Sequence, residues 1–227
     1  MTPAELLPLF LAPPWIEHGR SVAGRALTHR VWRAAAASAP PVLFHGSIHG
    51  NEPLGSYCLR WLAEELDAGK HTLARDLWIA PVVNPDGFVI GRKNNERGVD
   101  LNRNWPAKNW STTYKGNEFP GDAPASEPET QALHALIARA APTRIVALHS
   151  PFRTVNYDGP ARELAERIAA RNGYGASADI GYPTPGSFGT LYGVEQNLEV
   201  ITLEIPPMTP EQAWQENREA LLEALAP

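Results

Sequence analysis

Short apolar runs alternate with longer amphipathic segments along the chain. One run, 26–33, alternates in polarity as a half-buried strand does, whereas four others have the sequences of more buried strands. The buried strands are predicted at 42–46, 77–83, 144–149 and 198–205. Helical patterns lie at 52–68, 126–141, 160–172 and 210–226. This alternation predicts a three-layer α/β/α sandwich with a mixed, largely parallel central sheet, and we expect residues 1–227 to form a single domain.

Two of the predicted helices begin with the sequence of a capping box, in which side chains at both ends of the first turn bond to backbone N–H groups. The pairs are Ser126 with Glu129, and Thr209 with Gln212, the second with Pro210 at the first helical position. These signals place the starts of two helices.

The segment 84–125 has no clear periodicity and is rich in Asn, Gly and Arg. Its first residues, Asn84-Pro85-Asp86-Gly87, are typical of a turn. Loops of such length are uncommon inside compact domains and usually have a function.

Composition excludes several classes of protein. One cysteine in 227 residues excludes a disulfide framework, and a net charge of −5 gives no surface for nucleic acid. No apolar run approaches the roughly 20 residues that span a bilayer, and the start of the chain has no basic segment typical of a signal peptide. The 22 prolines are dispersed at the borders of predicted elements, so they do not indicate disorder. We therefore expect neither nucleic acid nor membrane as a partner.

Polar side chains follow the first buried strand. His49 and Glu52 lie three positions apart, so one short turn can aim an imidazole and a carboxylate at one point, as zinc requires. In an open α/β sheet, ligands bind at the carboxyl ends of the parallel strands. A structural histidine and a surface glutamate would have the same spacing, so this pair alone leaves both interpretations open.

Two further strands end in residues of the same kind. His149 is the last residue of its strand and would complete a set of two histidines and one glutamate, which leaves a fourth zinc position for water. Glu204 lies in an otherwise apolar strand, where burial raises the pKa of a carboxyl towards that of a general base. The structural alternatives are a capped strand end for His149 and a salt bridge for Glu204. The three strand ends are predicted to face one crevice.

The segment 84–106 concentrates hydrogen-bond donors. They are Arg92, Arg97, Asn102, Arg103 and Asn104. Such a set suits a carboxylate or a developing oxyanion, although a solvated loop would have a similar composition.

The order of these residues resembles the zinc carboxypeptidase A family. The motifs are His49-x-x-Glu52, Asn84-Pro85-Asp86-Gly87, Asp100-Leu101-Asn102-Arg103-Asn104-Trp105, His149-Ser150 and Glu204. The resemblance extends over residues 19–207, nearly the whole chain, and implies a zinc metallopeptidase with one Zn²⁺ per chain. It implies that His49, Glu52 and His149 bind the zinc, that Glu204 is the general base, and that Asp100 orients the first histidine.

The same resemblance implies four substrate contacts. Arg92 occupies the place of the arginine that polarises the scissile carbonyl, and Asn102 with Arg103 matches the pair that holds the terminal carboxylate of the substrate. Tyr182 lies one residue from the place of the tyrosine that closes over the substrate.

Four segments resemble more closely one bacterial branch of this family. They are GVDLNRNWPAKNW, SEPETQAL, the run GYPTPGSFG at 181–189, and ITLEIPP. Members of that branch hydrolyse the bond between the γ-carboxyl of D-glutamate and diaminopimelate in peptides recycled from murein. The resemblance implies a small peptide substrate and a cytoplasmic location. Phe188 and Gly189 stand where relatives specific for basic residues have an acid, so a preference for terminal Lys or Arg is not supported.

Three alternative functions remain. One is a metallocarboxypeptidase that releases C-terminal residues from oligopeptides. Another is a deacylase of N-acyl amino acids, against which the Asn/Arg-rich loop and the run at 184–189 argue. The last is a zinc-binding module without catalysis, against which Glu204 and Arg92 argue because zinc retention needs neither.

Overall fold

Eight strands form one mixed sheet in the computed structural model, which describes residues 1–227. The strands are β1 (Ile16–Arg20), β2 (Ala26–Trp32), β3 (Val42–Gly46), β4 (Leu77–Ala80), β5 (Arg144–His149), β6 (Thr154–Asp158), β7 (Gly175–Ser177) and β8 (Glu199–Glu204). The α-helices are α1 (Pro3–Leu6), α2 (Leu54–Asp67), α3 (Pro85–Ile90), α4 (Pro128–Ala140), α5 (Arg162–Asn172) and α6 (Pro210–Glu223). A π-helical segment covers Thr190–Glu195, and short 3₁₀ turns cover Leu7–Phe10 and Leu101–Arg103. None of the helices combines the length and the apolar character that crossing a membrane requires.

The spatial order of the strands is β1-β2-β4-β3-β5-β8-β6-β7. The four central strands, β4, β3, β5 and β8, run parallel, and antiparallel pairs attach the outer strands on both sides. The predicted mixed, largely parallel sheet is therefore confirmed. Because β3, β5 and β8 are neighbours and run parallel, their carboxyl ends lie side by side at one edge of the sheet.

Helices cover both faces of the sheet and give the three predicted layers. Successive residues of a strand point to opposite faces, so in β5 Val146 packs with the cluster under α2, α5 and α6, whereas Ile145 packs with α4. In β8, Ile201 packs with the first of these clusters and Val200 packs on the opposite face, with the cluster that includes α4. Burial on both faces explains why consecutive apolar residues occupy the middle of these strands.

The helix start predicted at Thr209 is confirmed. Its hydroxyl accepts a hydrogen bond from the N–H of Gln212, whose side chain accepts one from the N–H of Thr209, and Pro210 is the first helical residue. This capping box fixes the start of α6.

The capping box predicted at Ser126 is wrong. The helix α4 begins at Pro128 with Glu127 as its N-cap, and no side chain caps it. Ser126 instead donates to the carboxylate of Glu127 and accepts from the amide of Asn104, while Glu129 accepts from the N–H of Val22. The side chains of Ser126 and Glu129, which the local pattern predicts to cap the helix, therefore form other hydrogen bonds instead.

The turn predicted at Asn84–Gly87 is the start of a helix. The side chain of Asn84 accepts from the N–H of Gly87 at 2.9 Å, Pro85 is the first helical residue, and α3 ends at Gly91 with a φ of 67°. Asn followed by Pro suits the N-terminus of a helix as well as a turn, and the short α3 was hidden in a segment without periodicity.

Candidate active site

The ends of three parallel strands bring the predicted polar residues together. His149 is the last residue of β5 and is the register partner of Glu204, the last residue of β8. The neighbouring strand β3 ends at Gly46 and leads into the turn that carries His49 and Glu52. The predicted crevice at the carboxyl edge of the sheet is therefore present.

Two histidines and one glutamate lie within contact of one another. Nδ1 of His49 lies 2.9 Å from Oε1 of Glu52, and Nδ1 of His149 lies 3.0 Å from Oε2 of the same carboxylate. One ligand atom from each residue falls within a set spanning 4.8 Å. Ligands around tetrahedral zinc, at bonds of about 2.0–2.1 Å, are separated by about 3.3 Å, so both contacts to Glu52 lie within about half an ångström of the separation that zinc requires.

Asp100 lies behind the first histidine of the cluster. Its buried carboxylate lies 3.1 Å from Nε2 of His49, which turns Nδ1 towards Glu52, and its other oxygen pairs with Nζ of Lys93 at 2.6 Å. A carboxylate behind a ligating histidine holds the ring and strengthens it as a ligand.

The cluster has a strongly negative electrostatic character. Burial alone would lower the pKa of His49, but the carboxylates of Glu52 and Asp100 outweigh it and raise this pKa to about 9. Burial conversely raises the pKa of Glu52, yet the two histidines hold it below its usual range. The site thus stabilises a positive charge between its carboxylates, which is what a divalent cation supplies.

Glu204 lies beside this cluster with a carboxylate that is free to act. Its side chain is 5 % exposed and faces the cavity, and its Oε2 has no hydrogen-bond partner within the protein. Burial raises the pKa of Glu204, and nearby His149 partly opposes this rise. A carboxylate with a raised pKa accepts and returns a proton more readily than an ordinary one.

A cavity of about 320 Å³ opens in front of these residues. Asn102, Arg103 and Tyr182, the three residues predicted from the sequence to bind substrate, are among its lining residues. Tyr182 is 45 % exposed and lies 6.5 Å, between ring centroids, from the exposed Phe152. This aromatic pair flanks the cavity on its solvent side.

Asn102 and Arg103 are held in place by different partners. Oδ1 of Asn102 accepts from the N–H of Phe188 at 3.0 Å, and its amide NH₂ makes no hydrogen bond within the protein. Arg103 is nearly buried, donates to Glu118 at 2.9 Å and to a backbone carbonyl, and keeps its Nε without a partner. Asn102 therefore retains a free donor, whereas the guanidinium of Arg103 is held by Glu118 and a backbone carbonyl.

Arg92 does not line the cavity. Its guanidinium donates to the carbonyl of Asn95 at 2.6 Å and pairs with Glu96 at 3.2 Å, and its side chain is 41 % exposed. The cation beside it in sequence, Lys93, lines the cavity instead. Lys93 and a further lining residue, Asp158, were not singled out from the sequence, since only the folded loop and the strand register bring them to the site.

Gly50, between the two residues of the first motif, packs directly on backbone. A Cβ at this position would lie 2.2 Å from the carbonyl carbon of Gly87 and 2.4 Å from the nitrogen of Phe88. Gly50→Ala is therefore expected to lower the free energy of unfolding by about 1–3 kcal/mol, the usual cost of forced overpacking. Because the strain falls on the turn between His49 and Glu52, zinc affinity should fall more than tenfold.

Urea unfolding and a zinc titration of the metal-free protein measure both effects. Gly175→Ala is the matched control, because nothing lies within 4 Å of a Cβ there. A Gly50→Ala protein with unchanged zinc affinity would contradict the role of this turn.

The comparisons with known proteins agree with this geometry. A profile of the zinc carboxypeptidase family matches residues 15–169, and the chain belongs to that family. Within it, the chain is 38 % identical to murein peptide amidase A of Escherichia coli K12, over 88 % of this chain and 85 % of the relative.

Solved structures place the chain in the same group. The crystal structure of a murein-tripeptide amidase from Escherichia coli O157 matches 95 % of this chain and 94 % of its own, at a TM-score of 0.77 and 33 % identity. Carboxypeptidase A from Helicoverpa armigera matches 98 % of this chain and 70 % of its own, at a TM-score of 0.79 and 20 % identity, which supports the fold. The protein is a zinc-dependent hydrolase.

Proposed function

We propose that the protein hydrolyses the amide bond between the γ-carboxyl of D-glutamate and diaminopimelate in murein tripeptide. The observation that carries this proposal is one cavity in which a zinc-binding set, an unpartnered glutamate and two carboxylate-binding donors meet. The amidases that resemble the chain over most of its length supply the substrate class. The amine released by this reaction carries an adjacent carboxylate, as the C-terminal residue of a peptide does.

In this proposal, His49, Glu52 and His149 hold the zinc and Asp100 orients His49. Zinc supplies Lewis acidity, which lowers the pKa of water and withdraws electron density from a carbonyl group. Glu204 accepts a proton from the attacking water and returns it to the nitrogen of the leaving amine. The amide C–N bond breaks as the oxygen of that water joins the carbonyl carbon.

Asn102 and Arg103 set the position of the substrate. The free NH₂ of Asn102 and the guanidinium of Arg103 bind the carboxylate of the leaving residue, which fixes the scissile bond against Glu204. Tyr182, on the solvent side of the cavity, closes over the bound peptide.

We retain Arg92 as the group that stabilises the developing oxyanion, although it lies outside the cavity lining. Its ion pair with Glu96 joins two exposed side chains, and such pairs contribute less than about 1 kcal/mol. Turning the guanidinium towards a bound carbonyl also breaks its hydrogen bond to the carbonyl of Asn95, which keeps a second donor in the N–H of Gly98.

Turnover of two substrates tests the proposed function. The zinc-loaded protein should release diaminopimelate from L-Ala-γ-D-Glu-diaminopimelate with a kcat/KM at least 100-fold above that for hippuryl peptides, roughly 3 kcal/mol of discrimination. Release of C-terminal residues from hippuryl peptides, with the tripeptide untouched, would favour the alternative of a general metallocarboxypeptidase.

Asn102→Asp is expected to weaken substrate binding selectively. The new side chain keeps the oxygen that accepts from Phe188 but replaces the free NH₂ by a second oxygen, which repels the carboxylate of the substrate. The kcat/KM should fall by about 10²-fold or more, mainly through KM, since removing one hydrogen bond to a charged group costs about 1.5–3 kcal/mol before any repulsion. For a tripeptide in which the carboxylate of the leaving residue is amidated, Asn102→Asp should lower kcat/KM far less. An equal fall in kcat/KM for both peptides would contradict the assigned contact.

We extend the proposal to the organisation and location of the protein. Residues 1–227 form one catalytic domain in this proposal, because one sheet and the turn that follows β3 carry every metal-binding residue and the base. The resemblance to amidases that recycle murein peptides supports a cytoplasmic location, and cell fractionation tests it.

A further inference from the structure

One carboxylate that lines the cavity has no part in the proposed chemistry. Asp158 is the last residue of β6, and its side chain makes no hydrogen bond or ion pair within the protein. Burial raises the pKa of Asp158, and no other group opposes this rise. An acid that is partly buried and unpaired is costly to the fold, so its position in a ligand cavity points to a ligand that pairs with it.

The strand register places Asp158 at a defined distance from the reacting end of the cavity. Asp158 pairs with Val200 on β8, and Thr154 pairs with Glu204. Positions four residues apart point to the same face of the sheet, so Glu204 and Asp158 share one face, and their strand positions lie about 13 Å apart along the strand direction. The cations that line the cavity, Lys93 and Arg103, belong to the loop that holds Asp100 and Asn102, which leaves Asp158 without a nearby positive partner.

The packing around Asp158 keeps room for its carboxylate. A Cβ at Gly189 would lie 2.1 Å from Oδ2 of Asp158, and one at Gly193 would lie 2.3 Å from the Cβ of the same residue. Both glycines belong to the segment that faces β6 across the cavity wall. The sequence has no acid at 188–189, and the structure fills the space beside Gly189 with an acid from a neighbouring strand instead.

We propose that Asp158 binds an ammonium group at the far end of the side chain of the leaving residue. This inference deepens the proposed function and rests on it for the choice of diaminopimelate. The two amino nitrogens of that residue are six bonds apart, about 7–8 Å when extended. The attacking water approaches to about 3–3.5 Å, and a hydrogen bond from the second ammonium group adds about 2.8 Å. The total is comparable to the separation of about 13 Å between the strand positions of Glu204 and Asp158.

Two matched peptides isolate the ammonium group. Tripeptides of the form L-Ala-γ-D-Glu-X, with X as lysine or norleucine, differ only by the terminal ammonium of lysine. The zinc-loaded protein should prefer the lysine peptide in kcat/KM, and Asp158→Asn, which is isosteric and uncharged, should lower that preference by about 30-fold or more. Hydrolysis of the diaminopimelate peptide should fall by a similar factor.

Two further variants separate a direct contact from a general effect of charge. Asp179→Asn removes the same charge from the exposed rim of the cavity and should change the preference by less than threefold. Gly189→Ala keeps Asp158 but displaces its carboxylate, so it should also lower the preference. A preference that survives Asp158→Asn, or that Asp179→Asn lowers equally, would overturn the proposal.

Failure of the proposed function is distinguishable from failure of this inference. If no γ-D-glutamyl peptide is cleaved but hippuryl peptides are, the same comparison is made with hippuryl-lysine and hippuryl-norleucine. A loss of preference for lysine in Asp158→Asn would then support the ammonium contact, whereas an unchanged ratio would refute it.

Discussion

Replacing Glu204 by glutamine should abolish most of the hydrolytic activity while the metal stays bound. The substitution conserves the shape of a nearly buried side chain at the end of β8 but removes its ability to accept a proton. Loss of a positioned general base typically lowers rates by about 10²–10⁴-fold, and the fall should appear in kcat. Because Oε2 of Glu204 makes no hydrogen bond within the protein, the variant should fold as the parent does.

Three measurements isolate the effect of Glu204→Gln. The zinc content should remain one ion per chain, and the midpoint of thermal unfolding should stay within a few degrees of the parent. Glu199→Gln, at the other end of the same strand and paired with Arg144, is the control and should hydrolyse the tripeptide at the parental rate. Parental activity in Glu204→Gln would exclude this residue as the base.

Removal of zinc should eliminate activity and destabilise the chain. The metal-free protein is expected to be at least about 10³-fold less active, since water then lacks its lowered pKa. One equivalent of zinc should restore the rate. A ligand that binds the folded state alone stabilises it by about 4 kcal/mol at 1,000 times its dissociation constant, so zinc should raise the midpoint of thermal unfolding.

Variants of the ligand set give a sharper form of the same test. His149→Ala leaves Glu52 with one histidine and should lose zinc on dialysis, whereas His71→Ala, which removes a partly buried histidine paired with Glu65, should retain it. Retention of full zinc and activity by His149→Ala would contradict the assigned ligand set.

The four central strands and β2 could be predicted from the sequence, whereas β1, β6 and β7 could not. β3 and β5 have the predicted bounds, because both are continuously apolar and follow proline or helix-ending residues. β1 is mostly exposed, and β7 has only three residues. Edge strands carry less buried surface, so their sequences lack the apolar run that identifies an inner strand.

Some residues of the candidate site could also be predicted from local sequence, whereas others depend on the fold. His49 and Glu52 share one short turn, and His149 and Glu204 end apolar strands, so local sequence indicates them. Asp158 could not be found in this way, because its place in the cavity depends on the register between β6 and β8. The direction in which Arg92 points depends equally on how the loop 93–96 folds back around it.

Hydrolysis of murein tripeptide in ¹⁸O-labelled water tests the proposed function most directly. The zinc-loaded protein should convert L-Ala-γ-D-Glu-diaminopimelate into L-Ala-D-Glu carrying one ¹⁸O atom and unlabelled diaminopimelate. Mass spectrometry of both products follows the broken bond and the origin of the new oxygen in one experiment. An intact tripeptide, under conditions where the same preparation binds one zinc per chain, would contradict the proposal, and so would label in the released diaminopimelate.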